Sequence, residues 1–193
     1  MLNDNRSLRQ WRKALIEEYP YLLPRDYTTD EVVENFDYEF VNGEYDLPAG
    51  WFELFLQCCE DIKQPLMTSG HLDKFRFIQI KEKYGCMRIY TNGVSNEIHN
   101  ILAKYEFLSS KVCCVCGNPA AVQANDWISS YCFEHANNYV ENKDNYTAID
   151  TNVFYTQKVL STGGLTDVTV DCSDEWKRYL IRIGFMQDYN HND

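Results

Sequence analysis

The segment FRFIQIKEKYGCMRIYT, residues 75–91, is rich in β-branched and aromatic residues on both sides of a break at Tyr84-Gly85. That pattern predicts an antiparallel hairpin from Phe75 to Thr91, closed off by Asn92-Gly93. Strict alternation would put Phe75, Phe77, Gln79, Lys81 and Lys83 on one face and Ile78 and Ile80 on the other. Upstream, Pro48-Ala49-Gly50 introduces a helix from Trp51 to about Lys63, with Trp51, Leu54, Phe55, Cys58 and Ile62 at helical spacing. The adjacent Cys58 and Cys59 fall in this apolar pattern and read as core thiols. Downstream, Ser95 can cap a helix running to about Leu108, with Ile98, Ile101, Leu102 and Tyr105 turned inward. A helix, a hairpin and a second helix in succession define an α+β fold.

A second signal follows at once. Cys113-x2-Cys116-Gly117 is succeeded by Cys132-x2-His135. Thiolates and an imidazole in two such pairs suit a tetrahedral Zn²⁺. Four protein ligands close the tetrahedron, so the expected role is structural; a catalytic zinc keeps one position open. Cys114 is the ambiguous thiol, and the x2 spacing to Cys116 assigns the ligand role to Cys113. The stretch lacks the His-x-Glu plus Pro-Cys-x-x-Cys pattern of zinc deaminases, although Glu134 stands beside His135.

Toward the termini the reading is coarser. Residues 7–19 suggest an amphipathic helix carrying Leu8, Trp11, Leu15 and Ile16, stopped by Pro20 and Pro24. From Asp26 to Asp46 there are eight acidic residues and no basic one, interleaved with Tyr27, Phe36, Tyr38, Phe40 and Tyr45. This is either a solvated segment anchored by its aromatics or an acidic interaction surface. Beyond Asn137, residues 146–160 and 165–171 read as strands around Ser161-Thr162-Gly163-Gly164. Ser173 can cap a last helix bearing Trp176, Leu180 and Ile183.

The 193-residue chain carries a net charge of −11, unevenly spread. Residues 71–112 hold seven basic and four acidic side chains, whereas residues 1–70 hold six basic and fourteen acidic ones. Such a chain makes a poor general nucleic-acid binder, because phosphate contacts need clustered Lys and Arg. The basic hairpin is the exception: Lys81, Lys83 and Arg88, with Tyr90 nearby, could hold a small anion or nucleic acid, or pair with Glu82, Glu97 and Glu106. No apolar run is long enough for a membrane helix, and residues 1–20 lack an apolar signal core. Of the eight cysteines, Cys113, Cys116 and Cys132 stand in metal-type spacing with Cys114 beside them, and together with the lack of a signal this points to a reducing, cytoplasmic setting. No nucleophile, base and orienting acid can be assembled from spacing.

Taken together, Gly50-Trp51, Gln79-Ile80-Lys81-Glu82-Lys83-Tyr84-Gly85-x-Met87-Arg88-Ile89-Tyr90, Glu106-x-x-Ser109, Cys113-x2-Cys116-Gly117, Trp127 and Cys132-x2-His135-Ala136 resemble a widespread family of small uncharacterised proteins encoded by bacteria, prophages and phages. The resemblance covers about residues 50–136. It departs at Cys86, where the family usually has a second Gly, and at Ala120, where it usually has Gly after Pro. It implies a viral or mobile-element setting, hence the host cytoplasm, and a zinc-ribbon-like module.

The expected protein is therefore α+β: helices packed on a small antiparallel hairpin sheet, a zinc-knuckle or ribbon-like module, and an α+β C-terminal extension. Its expected organisation is an acidic, aromatic-rich region with one helix over 1–49, a core with the zinc module over 50–136, and the extension over 137–193. The expected ligands are structural Zn²⁺ on Cys113, Cys116, Cys132 and His135, and a host protein partner. A nucleotide or nucleic-acid ligand on Lys81, Lys83, Arg88 and Tyr90 is the alternative, and a zinc-dependent hydrolase the third reading.

Overall fold

The structure, a computed structural model, describes residues 14–23, 25, 26, 28–33, 45–136, 141–161 and 164–187. Most of the acidic segment, and residues 7–13 of the helix expected over 7–19, lie outside the described residues; residues 14–18 are helical and Tyr19 ends the helix.

The architecture is mixed α+β, with small sheets set among helices. Helix α1 (Phe52–Thr68) is its axis: Leu54, Phe55, Cys58, Cys59, Ile62 and Leu66 are all buried. The sequence places the end of this helix near Lys63, but it runs through Pro65 to Thr68. Burial of Leu66 one residue later, and a Ser69 hydroxyl donating to the Pro65 carbonyl at 2.8 Å, hold the last turn despite the proline. The neighbouring thiols Cys58 and Cys59 are fully enclosed, and desolvation pushes both well up. Helix α2 (Asn96–Ser109) packs on α1 through Ile98, Leu102, Tyr105 and Leu108. Ser95 caps it by accepting from the Ile98 N–H.

The first sheet has the order β1-β2-β3, where β1 (Tyr45–Asp46) runs parallel to β2 (Phe77–Lys83) and β3 (Cys86–Thr91) antiparallel to it. Tyr84 at φ 55° and Gly85 at φ 73° give the two-residue turn the positive φ pair of a type I′ hairpin, whose twist matches the right-handed twist of the strands. The Glu82 carboxylate accepts from the Gly85 N–H at 2.7 Å and closes it. Strict alternation fails at one point. The register slips between Phe77 and Gln79, so Phe77 and Ile80 are both buried although three residues apart. A bulge adds one residue and resets which side chains face the core. Phe77 thereby joins Tyr21, Phe55 and Phe75 in an aromatic cluster with ring centroids 5.0–5.8 Å apart.

Strand β3 is an edge, and helix α2 covers it. The N–H groups of Met87 and Ile89 point away from β2 and donate to Ser109 Oγ at 2.7 Å and Glu106 Oε1 at 2.6 Å. Two side chains one helical turn apart thus stand in for a further strand. Burial pushes the Glu106 carboxyl up, against the opposing pull of the Ile89 N–H and Arg88. Replacing Glu106 by Ala should cost about 1–2 kcal/mol in chemical denaturation, because a half-buried strand N–H loses a charged acceptor. Glu106→Gln, which keeps an accepting oxygen, should cost less.

Strands β4 (Val122–Ala124), β5 (Ser130–Tyr131) and β6 (Tyr146–Ala148) form a second sheet, ordered β5-β4-β6. The single strand expected over 146–160 is thus split. Residues 146–148 pair with β4, the chain turns at Asp150, and among the described residues β7 (Phe154–Ser161) pairs with β8 (Gly164–Asp171). The β7–β8 ribbon stands on the core through Tyr155, whose ring lies 5.0 Å from that of Phe107. Helix α3 (Ser173–Arg182) returns to α1, where Arg178 forms a bidentate pair with Asp61 at 2.6–2.7 Å and Arg182 reaches Glu53 and Glu60. The buried Gln57 amide donates to Tyr105 Oη and to the Glu175 carbonyl, tying α1, α2 and α3 together. Among the described residues, no helix is long and apolar enough to cross a membrane.

Candidate metal centre

Val112 leaves α2 through a turn and bridges to Pro119, so that residues 113–117 form a tight knuckle. The Gly117 N–H donates to the Cys113 carbonyl at 3.0 Å, and Gly117 takes φ 82°, a conformation suited to glycine. The β4–β5 pair then carries the chain back. Val122 faces Tyr131, which sets Cys132 next to the knuckle, and a turn from Cys132 brings round His135, whose N–H donates to the Cys132 carbonyl at 3.1 Å. Cys132 and His135 lie on this turn directly after β5.

The donor atoms of Cys113, Cys116, Cys132 and His135 all lie within 4.8 Å of one another. Cys116 Sγ and Cys132 Sγ are 3.8 Å apart, and His135 Nδ1 is 3.8 Å from Cys113 Sγ and 3.2 Å from Cys132 Sγ. Donors placed about 2.0–2.3 Å from one tetrahedral ion would stand about 3.6–3.8 Å from each other. Two of the observed pairs, at 3.8 Å, meet that spacing; with one pair at 3.2 Å and the rest within 4.8 Å, the three sulfurs and one imidazole nitrogen are grouped closely enough to be drawn around one ion. The site holds the Cys113 thiol below its ordinary range: burial opposes ionisation, but backbone N–H groups of Cys132, Cys116 and Val115 outweigh it. Cys116 is pushed up to about 11 by burial and then by its thiol neighbours. The two shifts run in opposite directions because clustered thiols cannot all ionise without a cation between them. Cys114 lies outside the donor group, and burial raises its thiol beside Tyr131.

The knuckle is locked to the core from both sides. The Gly50 N–H donates to the Cys114 carbonyl at 3.0 Å, and Trp51 Nε1 donates to the Val112 carbonyl at 3.2 Å. A Cβ on Gly50 would stand 2.1 Å from the Cys113 oxygen and 2.7 Å from the Gly117 nitrogen, both backbone atoms. On the far side, the buried Tyr179 hydroxyl of α3 donates to the Gly117 carbonyl at 2.6 Å. The Gly50-Trp51 dipeptide is therefore the seat of the knuckle. Tyr179 is a partner that no local pattern in the sequence signals. Tyr179→Phe should lower stability by about 1–3 kcal/mol, since it leaves a buried carbonyl without its donor; thermal denaturation of both proteins at matched metal content checks this.

The basic hairpin is a separate surface. Lys81 faces Arg88 across the strands and Gln79 faces Tyr90, which gathers Lys81, Lys83, Arg88 and Tyr90 on one side of the sheet. Lys81 lies over the Tyr90 ring at 5.2 Å and Lys83 over the Tyr84 ring at 5.3 Å. Arg88 pairs with Glu106 at 3.5 Å, so one of the three cations is already partly matched. The hairpin tip meets the metal module closely: a Cβ on Gly85 would stand 2.9 Å from Ile128 Cγ2 and 3.0 Å from Gln123 Nε2. No protein-family model, curated protein or solved structure matches the chain.

Proposed function

We propose that this chain is a non-enzymatic, zinc-binding protein of phage type that binds a host protein in the host cytoplasm and modulates or inhibits it, in the manner of an anti-defence factor. The closed donor set carries the reading. Three thiolates and an imidazole satisfy a tetrahedral zinc completely, leaving the metal to hold shape rather than to activate water, which also argues against a zinc hydrolase. Around the joint between hairpin tip and metal module, Tyr84 is 68% exposed and Trp127 75% exposed. Large amphipathic aromatics of this kind supply recognition energy at protein interfaces. The resemblance to phage and prophage proteins supports the setting. The test is affinity capture from host lysate with the zinc-loaded chain. Tyr84→Ala/Trp127→Ala should lose the captured partner while changing stability by no more than about 0.5–1 kcal/mol. A folded, zinc-loaded chain that captures no host protein would contradict the proposal.

A second reading, a nucleotide or nucleic-acid ligand on the hairpin, draws support from the Lys81–Tyr90 and Lys83–Tyr84 stacks, which pair cations with π-faces on the outer sheet surface. It requires that Arg88→Ala weaken binding without unfolding the protein. Absent or salt-insensitive binding to RNA, DNA and cyclic nucleotides would eliminate it.

A further inference from the structure

Two arginines far from the metal centre are held in an unusual way. Arg25 and Arg76 line a cavity of about 110 Å³, together with Asp26, Asp30, Phe77, Ile78 and Asn92. Each spends Nη1 on a backbone carbonyl: Arg25 on Asp30 and Arg76 on Phe75, both at 2.6 Å. In each, Nε is buried and has no hydrogen-bond acceptor. A buried charged donor without a partner is costly, and a fold that leaves two of them at one cavity calls for an explanation.

Among the described residues, the counter-charge recorded for both is Asp30, and it fits poorly. Its two carboxylate oxygens lie 3.9 Å from Arg25 Nη1 and 3.9 Å from Arg76 Nε, beyond hydrogen-bond reach, and its side chain is 70% exposed. Asp30 sits at φ 58° on a tight loop in which Arg25 bridges Val32 and Asp26 accepts from the N–H groups of Thr28 and Thr29. The Asp26 carboxylate is thus committed to its own loop, and those donors hold it below the usual range. Asn92 forms a fixed wall, accepting from the Arg76 N–H and donating to the Lys74 carbonyl. The same Asn92 borders a larger cavity of about 460 Å³, with Leu66, Phe75 and Ile98 on its floor and His71 and Lys74 among its polar residues.

We infer that the cavity between Arg25 and Arg76 is a phosphate-group site, in which the exposed Asp30 carboxylate is a loose internal stand-in for the ligand. Two guanidinium forks with free Nε–H groups match a tetrahedral anion of several oxygens better than they match one distant carboxylate. Both orphaned donors are enclosed, so an entering phosphate would first displace Asp30, 3.9 Å from Arg76 Nε, toward solvent and bond the donors as they are uncovered. The larger cavity lies across Asn92, so only an organic phosphate monoester that passes over that residue would place its apolar part there. This inference is independent of the zinc and of the proposed partner surface.

The probes are inorganic phosphate and phenyl phosphate, titrated into the full-length, zinc-loaded chain while the arginine Nε–H resonances are followed by NMR. Saturable shifts of two Nε–H signals are expected. Arg76→Lys, which keeps the charge but loses the fork, should weaken binding roughly tenfold or more, and Asp30→Asn should tighten it severalfold. Tighter binding of phenyl phosphate supports the site with the larger cavity seating the organic part; equal affinity supports it with free phosphate as the occupant. Nε–H signals that do not move with either probe would overturn the inference, as would binding that Arg76→Lys leaves unchanged in a protein of unaltered zinc content and circular dichroism.

Discussion

Gly50→Ala should cost about 3–5 kcal/mol and lower the thermal midpoint by roughly 10 °C or more, an effect far beyond an ordinary glycine substitution. The new methyl would fall 2.1 Å from the Cys113 carbonyl oxygen, 2.7 Å from the Gly117 nitrogen and 2.8 Å from the Cys114 carbonyl carbon. All three are backbone atoms of the knuckle, so no rotamer change can make room. Either the start of α1 or the knuckle must move. Movement of the knuckle would break the bond from Gly50 to Cys114 and disturb the contact of Gly117 with Tyr179. The mutant should therefore also bind zinc more weakly, which competition with a chromophoric chelator measures. Gly70→Ala is the control: a Cβ there meets nothing within 4 Å, and only its φ of 66° costs, by roughly 1 kcal/mol. Equal effects at the two glycines would refute the close-packed seat.

The second large effect is expected if the zinc proposed for the Cys113, Cys116, Cys132 and His135 cluster is removed. Structural zinc in isolated knuckle peptides contributes about 10–16 kcal/mol of binding free energy, comparable to or larger than the whole stability of an ordinary domain. Here the cluster joins the knuckle after α2 to the turn after β5, and the knuckle in turn contacts Gly50, Trp51 and Tyr179. Chelation, or Cys132→Ser, should thus loosen the second sheet first and weaken the docking of α3. Hydrogen exchange should show lost protection at Val122–Tyr131 and around Gly117, while the aromatic cluster of Tyr21, Phe55, Phe75 and Phe77 stays protected longest. Unchanged exchange in the metal-free protein would mean that the cluster fastens nothing.

Much of this was legible in the sequence because it is local. The Tyr84-Gly85 turn, the Ser95 cap and the two x2 ligand pairs each sit within a few residues, where spacing alone carries the geometry. The bulge at Phe77 was not legible, because one extra residue leaves the composition of the strand unaltered while reversing its faces. The helix end beyond Pro65 depended on burial of Leu66, and the break after Ala148 on which strand β6 could reach. The seat of the metal module depends on contacts across more than sixty residues, from Gly50 to Cys113 and from Gly117 to Tyr179. The orphaned donors of Arg25 and Arg76 likewise arise from tertiary placement, since nothing in either residue's neighbours announces a missing acceptor.

The most direct test of a structural zinc closed by Cys113, Cys116, Cys132 and His135 is metal analysis joined to the absorption spectrum of the cobalt-substituted protein. One zinc per chain is expected, with a cobalt spectrum showing thiolate charge transfer and the strong visible bands of a tetrahedral three-sulfur, one-nitrogen site. A folded chain that carries no stoichiometric metal, or a cobalt spectrum of five-coordinate character with bound solvent, would contradict it.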